Sequence, residues 1–326
     1  MNPKTGKFVI SLDFELYWGM FDRVSIEDYG DNIKGERVAI PMTLDVFKKY
    51  NLHATWACVG MATFKTLDDL KAAAPTRTPS YKDLNLSSYG HINSGMVRHD
   101  ELIDPYHFGA DLVRQIREVP HQEIGSHTFS HYYCLEPGQT AQEFEADLDA
   151  QAQLFPARSI VFPRNQVNPA YLPLCKARGL TNYRGNEPHY LYAPRPEGEE
   201  TLFIRGLRLL DHYLPITGHN TYPLSDVAKG EMANVPASRF LRPYNKRLAI
   251  FDPVRIARIK TSMEYAATHN EIFHLWWHPH NFGGTVDKNI PLFIELAEQY
   301  AWLSRTYGME SATMSEIADL AQIRHG

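Results

Sequence analysis

The chain has 326 residues, 44% of them apolar and 22% charged, with a net charge of −5, ordinary values for a globular fold. So mild an acidity, with no Lys/Arg-rich run, argues against a nucleic-acid binder that works by charge. Cys58, Cys134 and Cys175 are too scattered for a disulfide framework; no stretch reaches the length of a membrane span and the opening MNPKTGKFVISLDFE lacks a secretory core, so a cytoplasmic location is expected.

In chain order, residues 8–13 alternate and are rich in β-formers, which predicts a buried strand ending in acids. Val38, Met42, Val46 and Tyr50 recur every four residues and predict one face of a helix, and residues 53–59 (HATWACV) predict the next strand, stopped by Gly60. The β–helix–β period continues. Leu112, Ile116 and Val119 mark a helix before a strand at 122–126, and Phe144, Leu148 and Phe155 mark another before a strand at 159–162. A helix at 169–178, closed by Gly179, precedes a weak strand at 181–183. Then come a helix at 254–268, a strand at 272–277, a long helix at 291–307, a short strand at 311–313 and a last helix capped by Ser315 and running through Ile323.

About seven strands alternating with helices favour a barrel or a doubly wound sheet. Residues 75–105 are rich in turn formers, and 187–253 hold many of the prolines. Both are read as loop insertions over one domain spanning 1–326.

Four constellations carry chemistry, all at predicted strand ends, where α/β folds place their sites. The first is His127-Thr128-Phe129-Ser130-His131. Two imidazoles four apart on one helical turn reach one metal, although 15 histidines make a chance pair of this spacing expected. In the second, Asp13 and Glu15 are two residues apart, which points both carboxylates to one side of a strand. They repel unless a cation or an Arg compensates. The third, residues 273–281 (FHLWWHPHN), offers His274, His278 and His280 for proton transfer, with His274 the better candidate for a packed strand residue. Trp276 and Trp277 either stack on a sugar or fill the core. The fourth, Pro163-Arg164-Asn165, places a guanidinium where it can hold one acid ionised, or else form an ordinary surface ion pair. Two His and one carboxylate at converging strand ends make a natural metal site, with one acid and one His left over.

These pieces, in this order, resemble the polysaccharide deacetylase family, carbohydrate esterase family 4, with its NodB-homology domain. His127–His131 fits H-[ST]-x-x-H at every fixed position, Asp13 and Glu15 match the acid pair after the first strand, Pro163-Arg164-Asn165 loosely matches the third motif, and His278 before Pro279 matches the strand-end His. The resemblance implies an α/β fold, a distorted (β/α)7 barrel with loop insertions. It implies a divalent metal, Zn²⁺ first, on Glu15, His127 and His131; Asp13 as base, held by Arg164; and His278 as acid toward the departing amine. Trp277, His280 and Asn165 are expected to touch substrate. The implied reaction removes an N-acyl group, acetyl first, from an amino sugar. The expected partner is an amino-sugar-containing glycan or glycolipid precursor, as in O-antigen and other surface-polysaccharide biosynthesis, with no nucleic acid and no membrane span; a homo-oligomer is compatible.

The sequence departs from the family pattern in the spacing of the third motif and in two further places. The usual adjacent aspartates are replaced by Asp13 and Glu15 with Phe14 between, as in the branch that holds small-molecule amidases and some peptidoglycan deacetylases, and position 280 is His where relatives of that branch often have Asp. An amidase of the allantoinase type on the same fold, a catalytically inactive sugar-binding relative and a non-haem iron oxygenase are the competing readings, the last disfavoured by the scarcity of hairpin signals.

Overall fold

The computed structural model describes residues 4–193, 195 and 201–323. Strand β1 (Lys7–Phe14) lies inside the sheet with every residue buried, as expected of a strand covered on both faces. It is followed by β2 (Ala54–Cys58), β3 (Gln122–Ser126), β4 (Ser159–Ile160), β5 (Asn182–Tyr183), β6 (Tyr222–Pro223), β7 (Ala233–Asn234), β8 (Arg239–Phe240), β9 (Glu271–Trp277) and β10 (Glu310–Ala312). The order across the sheet is β6-β9-β1-β2-β3-β4-β5-β7, with β10 on β1 and β8 on β9. Among the described residues only the β6–β9 pair is antiparallel.

The sheet curls because one segment joins its two edges. β7 pairs with β5, and a few residues later β8 pairs with β9. Ala237 N donates to Gly185 O and Ser238 N to His274 O, so residues 233–241 bridge β5 and β9. This corrects the sequence reading twice. Part of the stretch taken as a loop insertion at 187–253 is the seventh stave of a distorted barrel, and the strand predicted at 311–313 instead flanks the start of β1, with Lys7 opposite Glu310.

Alternation along β1 divides inside from outside. Phe8, Ile10, Leu12 and Phe14 join the main core, whereas Val9 belongs to a second apolar cluster with Ala57, Val161 and Val235. Ser11 and Asp13 share the Val9 side, so the polar end of β1 opens inward. The helix Ile26–Tyr50 links β1 to β2. Ser25 Oγ caps it by accepting from Asp28 N, and Asn51 ends it in the left-handed region. The helix is present but the predicted face holds only in part: Val46 is buried, Val38 and Met42 are exposed, and Ile33, Ile40, Leu44 and Phe47 complete the buried side. No helix among the described residues is long and apolar enough to cross a membrane.

The 75–105 stretch lies over the loop that follows β3. Tyr81 Oη accepts from Tyr133 N at 2.7 Å, and Ser88 Oγ donates to Ser130 O at 2.7 Å. It is also pinned to the residues after β1. His91 and His107 share a hydrogen bond of 2.9 Å, Asp104 holds His107, and Trp18 Nε1 donates to His107 O.

Candidate active site

β1 delivers Glu15 one residue past its end. Leu16, at φ 49°, then turns the chain, and Glu15 remains 3% exposed. Four imidazoles face its carboxylate. On Oε2 are His131 Nε2 at 3.0 Å and His127 Nε2 at 3.4 Å; on Oε1 are His280 Nε2 at 3.0 Å and His278 Nε2 at 3.7 Å.

His127 shows what this arrangement fits. Its Nδ1 lies 2.8 Å from Val161 O, and a carbonyl only accepts, so the ring hydrogen is on Nδ1. Nε2 therefore presents a lone pair. It is buried without a hydrogen-bond partner among the described residues, and it faces a carboxylate oxygen 3.4 Å away. Two acceptors aimed at each other in a buried site are unfavourable; a cation between them removes the conflict. The donor set, imidazole with one carboxylate, suits Zn²⁺ and other first-row divalent ions.

The two histidines do not ride a helical turn, contrary to the expectation from their spacing. Residues 127–133 are irregular, and Thr128 (φ 62°) and His131 (φ 58°) take left-handed conformations, which non-glycine residues adopt where the surroundings enforce them. Asp147, on the helix Ala141–Leu154, enforces them here. Its carboxylate accepts from Phe129 N at 2.7 Å, from Ser130 N at 3.1 Å and from Ser130 Oγ.

Asp13 sits on the inner side of β1, 2% exposed. The sequence expectation paired it with Arg164, and the structure corrects this. Arg184, just after β5, grips Asp13 with two bonds of 2.7 Å and is itself completely buried. Arg164 turns instead to Asp22 and lies over the Tyr133 ring. Ser11 Oγ at 3.0 Å, Asn165 Oδ1 at 2.9 Å and the face of Trp276 at 4.2 Å fix the Arg184 guanidinium. Burial favours the neutral form of Asp13, but Arg184, with His127 and His278, leaves its pKa below the usual carboxylate range. His278 Nε2 stands 3.6 Å from Asp13 Oδ2. His274, packed between Ser11 and the 235–236 carbonyls, is held down to about 3, chiefly by burial, and is a neutral strand residue.

Residues 21–171 match the family model described as polysaccharide deacetylase. The likeness to the polysaccharide deacetylase family thus covers residues 21–171, a little under half of the chain. The matched span contains His127, His131, Arg164 and Asn165; Asp13, Glu15, Arg184 and His278 lie outside it. Solved structures similar in fold include one from Mycobacterium smegmatis named as a polysaccharide deacetylase (12% identity, TM-score 0.57, covering 99% of this chain and 92% of that one). Another from Pseudomonas aeruginosa PAO1 is named likewise (12%, 0.55, 99% and 93%). A third is Puue allantoinase (12%, 0.59, 100% and 93%). Comparison with curated proteins gives no match.

The two carboxylates open on a cavity of about 300 Å³, with Trp276, His278 and His131 in its wall. Trp277, expected to touch substrate, is fully buried against Phe47, Phe282 and Phe293 in the main core. Strand alternation explains the reversal, because His274, Trp276 and His278 share the inner side of β9 and its end, and Trp277 takes the outer one. His280 was also expected to meet substrate, but both of its ring nitrogens are engaged, Nε2 by Glu15 and Nδ1 by Tyr29 Oη at 2.9 Å. Asn165 lines the cavity while its Oδ1 serves Arg184. Sequence reasoning missed Arg184, Asp147, Tyr29 and Asn281. Of these only Arg184 left a signal, its place directly after the weak strand predicted at 181–183.

Gly19 is a further determinant of the site. A Cβ built there would stand 2.1–2.4 Å from the Glu15 carboxyl atoms. Ringed by four imidazoles, that carboxylate cannot swing aside without losing its contacts. Gly19→Ala is therefore expected to weaken metal binding at least tenfold with the fold retained, read by chelator competition together with circular dichroism.

Proposed function

We propose that this chain is a metal-dependent hydrolase that removes an N-acyl group, acetyl in the first instance, from an amino sugar in a glycan or glycolipid precursor. The observation that carries this reading is the orphaned His127 lone pair facing Glu15, beside a second carboxylate that Arg184 keeps charged. Glu15, His127 and His131 would hold the cation. When bound, it would polarise the amide carbonyl and bring the pKa of a water down toward about 7.

The rest of the chemistry belongs to the chain's own residues. Arg184 holds Asp13 ionised and oriented, so Asp13 can accept a proton from the attacking water. His278, held down to about 4 chiefly by burial, is neutral and keeps its Nε2 hydrogen as a hydrogen-bond donor to the reacting group, so the departing amine, too basic to leave as an anion, takes the proton that Asp13 has accepted. With His278 Nε2 3.6 Å from Asp13 Oδ2, both groups stand at the same reacting centre. Trp276, flat against Arg184, offers its outer face to a sugar ring. Beyond Ser11 and His274 the barrel interior is apolar, with Val9, Ala57 and Val235, which limits water to the cavity side.

The test is release of acetate from N-acetylhexosamines and their nucleotide- and lipid-linked forms by metal-stripped and Zn²⁺-restored protein. Turnover that appears only on restoration, and falls about 10²–10⁴-fold in His278→Ala with the metal retained, supports the reading. Ring opening of allantoin without acetate release would move the protein to the small-molecule amidases, as would metal-independent turnover.

A further inference from the structure

His280 stands where the branch pattern of the family leads to an acid, and it faces Glu15 Oε1 at 3.0 Å, as close as His131 is to Oε2. Whether it is a hydrogen-bond donor or a lone-pair donor depends on where its ring hydrogen lies. Tyr29 and Asn281 decide that.

Asn281 follows His280 at the start of the short helix Pro279–Gly283. Its amide Nδ2 is 3.2 Å from His278 Nδ1, and its Oδ1 is 3.1 Å from Tyr29 Oη. The amide nitrogen only donates, so His278 Nδ1 accepts, and the hydrogen of neutral His278 is on Nε2. The amide oxygen only accepts, so it takes the single hydroxyl hydrogen of Tyr29. Were that hydrogen turned to His280 instead, Tyr29 Oη and Asn281 Oδ1 would be two acceptors facing each other at 3.1 Å. With its hydrogen committed, Tyr29 Oη accepts from His280 Nδ1 at 2.9 Å. The hydrogen of His280 is then on Nδ1, and its Nε2 points a lone pair at Glu15, the same conflict of acceptors that His127 shows.

We propose that His280 is a third imidazole ligand of the cation held by Glu15, His127 and His131, and that Tyr29 and Asn281 make it so by fixing His280 and His278 in opposite tautomers. This rests on the metal-dependent reading above and adds to it a ligand and the device that sets it. It also settles the role of the neighbouring group Glu15, His278 and His280. With a hydrogen on Nε2, His278 is no ligand, so the cluster holds one cation and not two, and His278 remains free to donate toward Asp13 and substrate. The close approach of Gly35 to Gly283, where a Cβ would come within 2.1 Å of Gly283 O, seats the Tyr29-bearing helix against the His280-bearing one. A ligating imidazole with its other nitrogen fixed by an outer partner is the common arrangement at protein metal sites.

The test titrates metal-stripped protein with Co²⁺, reads its visible absorption, and measures Zn²⁺ affinity against a chelator. Wild type should take one equivalent. His280→Ala should lose at least 100-fold in affinity and change the Co²⁺ spectrum; Tyr29→Phe, which keeps the fold and removes only the hydroxyl, should lose 10–100-fold. His278→Ala should bind within about threefold of wild type. An unchanged spectrum and affinity in His280→Ala, wild-type affinity in Tyr29→Phe, or a second equivalent of Co²⁺ lost in His278→Ala would each overturn the proposal. Acetate release on the same samples separates the two readings. Normal binding and turnover in His280→Ala discards the ligand and keeps the hydrolase; a His280-dependent spectrum in a protein that cleaves no amide discards the hydrolase and keeps the ligand.

Discussion

Arg184→Gln is expected to abolish turnover and to cost about 3–5 kcal/mol of stability, because it leaves Asp13 as a buried carboxylate without its counter-charge. Both groups are almost wholly removed from solvent, at 0% and 3% exposed, so solvent does little to screen the loss. Urea denaturation of wild type and variant reads the stability, and acetate release reads the turnover. The effect has a defined pH dependence. The pKa of Asp13 in the folded protein lies below its ordinary value of 3.8, since Arg184, with His127 and His278, outweighs burial. A depressed carboxyl contributes stability that is fully present above the unfolded pKa and is lost as pH falls through the folded one. The gap between wild type and Arg184→Gln should therefore be full near neutrality and close as the solution is acidified below about 4. Arg164→Gln provides the contrast. It breaks a pair with Asp22 and leaves Asp13 gripped, so equal losses in both variants would contradict the assignment.

The second large effect divides the two carboxylates. His127→Ala should remove bound metal and turnover together, since His127 offers a buried lone pair with no hydrogen-bond partner among the described residues. Asp13→Asn should keep the metal and lose about 10²–10⁴-fold in rate, the range for loss of a positioned base. Metal content after dialysis and single-substrate kinetics test both. Loss of metal in Asp13→Asn, with retention in Glu15→Gln, would exchange their roles.

The parts of the site legible in the sequence are those whose spacing is short. Asp13 and Glu15 announce themselves by alternation at the end of one apolar strand, and His127 and His131 by a separation of four. Even there, the spacing suggested a helical turn, while the structure uses left-handed Thr128 and His131 held by Asp147, a contact across 18 residues with no local signature. Arg184 left only a faint signal, its place after the weak strand predicted at 181–183, because β5 is two residues long and gives periodicity little to register. The seventh stave was hidden for the same reason. β7 and β8 are two residues each, and their partners, Asn182 and Leu275 among them, are remote in sequence. Trp276 and Trp277 were separable in principle, since the inward residues of β9 share parity with the strand-end His278, so period-2 reasoning places Trp276 in the cavity and Trp277 in the core.

The central claim is that Glu15, His127 and His131 close on a cation. Anomalous X-ray scattering at the absorption edge of the bound metal tests it most directly, in crystals of Zn²⁺-restored protein. A single peak about 2.0–2.2 Å from a Glu15 carboxylate oxygen and from Nε2 of both His127 and His131 is the predicted result. Crystals grown with saturating Zn²⁺ that show no peak there, or a peak held by other residues, would contradict it.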